Sequence, residues 1–487
     1  MMSSSLNMPA GASPRDPGAA GHHSARDGLD HSAVQGEAPK AFMPPGPLFV
    51  EPPLAWLAAQ WISVGGAVGL PLLALTMRGG TNTAYFVCLL GAILGALTLA
   101  FGRATDRTLP PLEPFWRPAW PLAVALAAPL VAVLWSQGLT GTWSGRPYDG
   151  MSRLLLAAPV AWWLCQVPRH RLRWWAWACM AGAVLATWIL WQSIPPWDTR
   201  PEPPYATAIT FGNLCLLLGV FSALSLGWRL TRWRGEALVK MLAACMGLYG
   251  SFLSQSRGGW LALPVIIGVL VLILNMSWRR KAAVVLLTVA GLGTTYMASP
   301  MVQDRVILAA SELRDFQRGE NLESSIGMRM QFWQASWEMF RDHPLTGVGS
   351  QHINAEFRER VAQGRMAELG AMHNHSHNEV FWFMASWGLP GLLALLAVYL
   401  VPWWFFVRAA RCADHDRATA GRMGVALVTG YASFGLTEAM FAITMNVAFY
   451  AGHVAILLAL AWPRRQVVPA ANPLSMSTSP DSRRVGP

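Results

Sequence analysis

About twelve apolar runs, each near the length needed to cross a bilayer, constrain this chain more than any other feature of its sequence. A membrane-crossing helix needs about 20 predominantly apolar residues. Runs of that kind lie near residues 54–76, 84–101, 119–136, 153–167, 174–192 and 207–227, and again near 237–255, 259–277, 282–299, 390–407, 421–438 and 442–462. The chain is 53% hydrophobic and only 13% charged, about half the charged fraction of an ordinary soluble domain. The expected fold class is therefore an all-α polytopic membrane protein of about twelve transmembrane helices.

The segments between the runs alternate in charge, and this orients the bundle. Arg103 and Arg107, Arg169 to Arg173, Arg229 to Lys240, Arg279 to Lys281, Arg408 to Arg422, and Arg464 with Arg465 all fall on one side. By the positive-inside rule that side is cytoplasmic. All three lysines, Lys40, Lys240 and Lys281, agree with it. The net charge of +11 thus reflects topology; no stripe of basic and aromatic residues tracks a phosphate backbone, and no nucleic acid is expected as partner. Residues 1–50 and 466–487, rich in small and polar residues, read as disordered cytoplasmic tails, and no cleavable signal peptide is recognisable. Helices fill 51–299 and 379–465. The six cysteines are scattered singly, without a CxxC pair, which suits small core residues better than disulfides or a zinc ribbon.

Residues 300–378 break the apolar series. This long polar loop faces outward by the same charge argument and holds five of the eleven histidines. Ile326, Met330, Trp333, Trp337 and Phe340 recur at helical spacing, predicting an amphipathic helix started by Ser324-Ser325 and stopped at Pro344. A second, polar helix is expected over about 354–369, with Gly347 and Gly349 at the joint.

Three outer-face positions carry candidate chemistry. Arg257 sits in Ser256-Arg257-Gly258-Gly259-Trp260, at the break between two runs. It could snorkel to lipid head groups. The two glycines after it would also let backbone N–H groups and a helix N-terminus approach an anion beside the guanidinium. Arg329 starts the amphipathic helix, as a solvated face or as a second fork for a bulky anion such as a diphosphate. The run His373-Asn374-His375-Ser376-His377-Asn378 raises a metal site, a helix cap or a general base. No HExxH and no acid at a set spacing accompanies it, and an imidazole near neutrality suits removal of a proton from a hydroxyl.

These segments together resemble the O-antigen ligase and polymerase family of bacterial envelope glycan assembly. The resemblance rests on Ser256-Arg257-Gly258-Gly259-Trp260, on Gly327-Met328-Arg329, and on His343-Pro344-Leu345-Thr346-Gly347-Val348-Gly349. It extends to His377-Asn378 with Gly388-Leu389-Pro390-Gly391 downstream, and covers roughly residues 205–440. It implies a GT-C-like inverting glycosyltransferase of the inner membrane, its active site facing the periplasm. The implied donor is an undecaprenyl-diphosphate-linked glycan, with no metal and no other cofactor. Arg257 and Arg329 would hold the diphosphate and His377 would be the base. His375 and Asn378 would be orienting neighbours, Arg153 a further phosphate contact, and Gly388 and Gly391 the turn into the next helix. Trp382, Phe383 and Trp387 would border a lipid groove. The expected acceptor is the lipid A core. A second lipid-linked repeat, as in a polymerase, and a protein side chain are alternatives. A transporter of lipid-linked anions would instead require ionisable residues deep in the spans.

Overall fold

A computed structural model describes residues 53–104, 112–193, 201 and 203–464, except for the side chains of Arg103, Ala104 and Arg257. Both expected tails lie outside the described residues. Within them the chain is helical and contains no strand. The helices are α1 (Leu54–Leu73), α2 (Gly80–Ala104), α3 (Trp116–Thr140), α4 (Arg146–Leu164), the short α5 (Arg169–Leu172), α6 (Trp174–Gln192), α7 (Ala208–Leu224) and α8 (Glu236–Leu253). They continue with α9 (Arg257–Ile273), α10 (Trp278–Ala298), α11 (Pro300–Arg318), α12 (Ser325–Asp342), α13 (Ile353–Ala362), α14 (Glu379–Ala410), α15 (His415–Phe434) and α16 (Thr444–Ala461).

Every one of the twelve apolar runs folds as a helix, but only nine helices among the described residues are long and apolar enough to cross a membrane by themselves. The other three are α4, α9 and α15. Arg146, Asp149 and Arg153 dilute the start of α4, α9 has 17 residues, and α15 opens on His415, Asp416 and Arg417. All three pack against other helices of the bundle: α4 and α15 lie on α16, and α9 lies on α15. The chain is a multi-pass membrane protein built around α16, in which every residue from Asn446 to Ala461 is buried. At the other extreme, α10 has no buried residue.

Polar groups inside such a bundle must find partners within the protein, because lipid offers none. The hydroxyls of Tyr85, Tyr431 and Tyr450 donate to the carbonyls of Arg153 (2.6 Å), Asn446 (2.8 Å) and Val398 (2.7 Å). Small residues allow close helix contact; a Cβ on Gly247 of α8 would stand 2.6 Å from the Gly219 backbone of α7.

Helix α16 also separates two chemically different ends. Its 18 residues span about 27 Å at 1.5 Å per residue. At its C-terminal end the basic segments assigned to the cytoplasm gather. Arg417 Nε donates to the Ala461 carbonyl at 3.0 Å, Arg464 Nη2 to that of Val167 at 2.6 Å, and Arg169 pairs with Asp414 at 3.2 Å. At its N-terminal end Thr444 meets Asp149, close to the polar loop.

In that loop the amphipathic helix is α12. Ser324 Oγ accepts the Gly327 N–H at 3.0 Å, a cap worth about 1 kcal/mol. The second expected helix is shorter than the sequence pattern suggests: α13 ends at Ala362, and Gly364 takes a left-handed φ of 70° that stops it. An additional helix, α11, occupies the start of the loop. Helix α14 is broken at Gly388, whose φ of 64° and ψ of −150° only glycine adopts without strain. The Gly347–Gly349 joint docks in this break: Val348 and Gly349 donate to the carbonyls of Ala385 and Ser386 at 2.8 and 2.9 Å, and Leu389 donates back to Pro344 at 2.7 Å. A Cβ on Gly388 would lie 2.5 Å from the Pro344 oxygen, and one on Gly347 2.4 Å from the Ser386 carbonyl carbon. The two glycine motifs are thus one interlocking joint between loop and bundle.

Candidate active site

The histidine run ends where α14 begins, and the start of that helix fixes its position. Asn378 caps α14: its Oδ1 accepts the Val380 and Phe381 N–H groups at 2.9 and 3.2 Å, and its Nδ2 donates to the Leu436 carbonyl at 3.1 Å. Buried Glu379 accepts the Phe441 N–H with both carboxylate oxygens at 3.1 Å, while its own N–H donates to Gly435 at 2.6 Å. The segment 435–441 between α15 and α16 is therefore held against the last residues of the loop. This juxtaposition delivers Glu438 to the histidines.

His377 Nδ1 lies 3.0 Å from Glu438 Oε2, and His375 Nδ1 lies 3.5 Å from Oε1 of the same carboxylate. The two imidazoles are stacked edge-on at 4.4 Å. His377 has a left-handed φ of 48°, uncommon for any residue other than glycine and a form of backbone strain that concentrates at functional sites. Glu438 is 3% exposed. Burial pushes its carboxyl up, but the His377 hydrogen bond, the two adjoining imidazoles and the Arg329 charge outweigh that and hold it below the ordinary range. It is an anion at neutral pH. An ionised carboxylate only accepts, so the facing His377 Nδ1 carries a proton, and the lone pair of the neutral ring is the one on Nε2. Burial pushes the His375 imidazole down to about 4, so His375 is neutral. Its Nδ1 also faces the His377 backbone N–H at 3.4 Å.

Helix α12 brings a cation to the same carboxylate. Arg329 is largely buried, which lowers its pKa, and the negative charges of Glu438 and Glu312 oppose that shift. One turn further along α12, Phe332 packs against the rings of His373 (5.0 Å) and His377 (5.8 Å). Arg329 lines a cavity of about 170 Å³ together with Arg305, Gln255, Ser256, Gly258 and Thr437, the residue before Glu438. Arg305 donates to Gln255 Oε1, and Gln255 takes a φ of 54° in the turn from α8 to α9. A Cβ on Gly258 would come within 2.4 Å of Thr437 Oγ1, so a larger residue here would make that hydroxyl turn away. The backbone of Arg257 opens α9; its side chain lies outside what is described.

The structure thus brings His375, His377, Asn378, Arg329 and the Ser256–Gly258 turn into one neighbourhood. Arg153 is elsewhere: it is buried on α4, paired with Asp149 Oδ1 at 2.9 Å and stacked on Phe86 at 5.2 Å. Both ends of the Asn378 amide are engaged in holding backbone, so its contribution here is positional. Trp382, Phe383 and Trp387, expected at a lipid groove, are instead 5%, 0% and 1% exposed. Sequence reasoning missed two residues. Glu438 stands at the end of an apolar run with nothing local to mark it, and Arg305 lies on the unforeseen α11. Glu438 also supplies the acid absent from the histidine segment: one ligand atom each from His375, His377 and Glu438 lie within 4.8 Å of one another, a set that could hold a metal ion. The same geometry already satisfies the requirements of a carboxylate-oriented histidine base.

Comparison with known proteins agrees with the motifs. Residues 238–396 match the profile of the family described as O-antigen ligase. The match runs from α8 into the second half of α14 and contains the 256–258 turn, Arg329 and the histidine run, but not Glu438. A Haemophilus influenzae protein described as uncharacterized is 23% identical over 313 residues, 63% of this chain and 77% of the relative.

Proposed function

Taking the O-antigen ligase family domain of residues 238–396 as premise, we propose that this membrane protein is an inverting glycosyltransferase. It moves a glycan from undecaprenyl diphosphate to a hydroxyl of the lipid A core, at the periplasmic face of the bacterial inner membrane. The observation that carries this reading is the 3.0 Å His377–Glu438 hydrogen bond beside the half-buried Arg329. It joins an oriented base to a cation fitted to a leaving anion.

His377 Nε2 takes the proton of the acceptor hydroxyl, and the resulting oxygen nucleophile attacks the anomeric carbon from the face opposite the diphosphate. The bond from that carbon to the phosphate oxygen breaks, and its electron pair leaves with undecaprenyl diphosphate. Glu438 stabilises the imidazolium formed in this step. Arg329 and Arg257 hold the diphosphate as charge develops on it, joined by Arg305 and the N-terminus of α9, whose dipole favours an anion. His375 and Asn378 orient the base segment, whereas Arg153, buried and paired with Asp149 on α4, takes no part in holding the diphosphate. The reaction needs neither nucleotide nor metal.

The test is lipopolysaccharide profiling of a deletion strain complemented with variants. Asparagine tolerates a left-handed backbone, so His377→Asn should preserve the fold and leave rough core with accumulated lipid-linked polymer. Smooth lipopolysaccharide in that strain would remove His377 as the base. A deletion strain whose core carries a single repeat would identify a polymerase instead. Arg257→Lys should also be severe, because a point charge does not reproduce a bidentate fork.

A further inference from the structure

A second cavity, also about 170 Å³, borders the histidine run and shares no lining residue with the Arg329 cavity. Arg146, Gln351, Asn354, Asn374, Trp382 and Trp387 line it. Asn374 immediately precedes His375, and Trp382 lies one turn beyond the Asn378 cap. Phe441, which donates to Glu379, contributes from the segment after Glu438. Sequence neighbours of the His377–Glu438 pair thus line both cavities, Thr437 the one that holds Arg305, Arg329 and Glu312, and Asn374 the one that holds Arg146, amides and indoles.

Gln351 is the informative residue. Both polar atoms of its amide are shielded from solvent and make no hydrogen bond, a state that proteins rarely tolerate without cause. Gly349, with φ of 83°, leaves room for it: a Cβ there would come 2.7 Å from Gln351 Nε2. The Asn354 amide nitrogen is engaged by the carbonyls of Ala371 and His373 at 2.9 and 2.7 Å, so what this lining residue has left to offer is its oxygen, an acceptor. Arg146 is exposed and pairs with no described carboxylate. A primary amide offers donors and an acceptor together, the pattern that pairs of neighbouring hydroxyls require. The π faces of indole and phenyl rings pack against the C–H face of a pyranose, and an unpaired guanidinium favours a phosphate or carboxylate substituent.

We infer that this cavity binds the acceptor: it holds the sugar ring bearing the attacking hydroxyl, with an anionic substituent of that saccharide on Arg146. The inference rests on the glycosyl transfer proposed above and adds the class of acceptor, an anionic saccharide, and the residues that select it.

The experiment uses the full-length protein in lipid nanodiscs, with lipid-linked donor and de-acylated core oligosaccharide in phosphorylated and dephosphorylated forms. Gln351→Leu and Arg146→Gln should each raise the acceptor KM by about 10-fold or more, as expected for lost hydrogen bonds to a buried amide or a charged group, without a comparable rise in donor KM. Arg146→Gln should in addition abolish discrimination between the two oligosaccharide forms. Calorimetric binding of the oligosaccharide, read without turnover, should weaken in parallel. Binding that both substitutions weaken upholds the cavity even if the wild type transfers no glycan, an outcome that defeats only the proposed reaction. Transfer with an unmoved acceptor KM in both variants, or a donor KM that rises instead, overturns the inference.

Discussion

Replacing Glu438 by glutamine keeps the shape of the side chain and removes its charge. The carboxylate lies 3.0 Å from His377 Nδ1 and is 3% exposed, so water cannot take over its role as the imidazole gains a proton. A hydrogen bond to a charged group contributes about 1.5–3 kcal/mol, and each 1.36 kcal/mol is tenfold in rate. The substitution should therefore lower kcat by about 10- to 150-fold. The donor KM should behave differently. Glu438 also faces Arg329 and competes with an incoming diphosphate for that charge, so its neutralisation should leave donor affinity unchanged or improve it. Steady-state kinetics with purified protein, lipid-linked donor and core acceptor separates the two parameters. The fold is safeguarded, because a glutamine oxygen can still accept the Ala439 N–H that Glu438 Oε1 accepts at 3.2 Å. An unchanged kcat, or a loss confined to donor KM, would refute the view that this carboxylate serves the base.

Acid should destabilise the site. Between the ordinary imidazole value of 6.5 and about 4 the unfolded chain protonates His375 while the folded chain does not. Stability is therefore complete above 6.5 and falls as pH drops toward 4, by up to about 3 kcal/mol. Glu438, held low, adds a loss at still lower pH. Thermal melts should show this slope for the wild type and a flatter one for His375→Asn; equal slopes would refute the assignment. Gly388→Ala, which forces a Cβ to within 2.5 Å of the Pro344 oxygen at a φ of 64°, should lower the melting temperature through strain of at least about 1–3 kcal/mol. An unchanged melt would mean that the joint does not need its glycine. Exhaustive chelation should leave transfer intact, whereas a loss that added zinc restores would make His375, His377 and Glu438 metal ligands rather than a proton-transfer pair.

The parts of this architecture legible in the sequence are those whose cause is local. Bilayer-length apolar runs mark the helices, Ser324 and the 3.6-residue period mark α12, and the glycines of 347–349 and 388–391 mark the joint between loop and bundle. Helix α11 escaped because its polar period continues directly from an apolar run without a loop to announce it. The shorter α13 reflects Gly364, whose left-handed turn overrides a pattern that otherwise continues. Glu438 could not be read at all. It is 61 residues from His377, at the end of an apolar run where a lone acid has many ordinary explanations, and only the pairing of 378–379 with 435–441 gives it a partner. The same holds for Gln351, whose significance is its lack of bonds, a property that no spacing encodes.

That pairing separates a fixed part of the machinery from an adjustable one. Asn378, Glu379, Leu436 and Phe441 clamp base and carboxylate to the same two helix ends, whereas Arg329 and Arg305 arrive on α12 and α11, outside that clamp. Helix α11 touches neither His377 nor Glu438 in any contact described above, so under the proposed reaction a shift of α11 with Arg305 would alter the grip on the diphosphate while the clamp keeps the His377–Glu438 distance. Under that reading the hold on the leaving anion and the orientation of the base would rest on different parts of the protein, and one could change without the other.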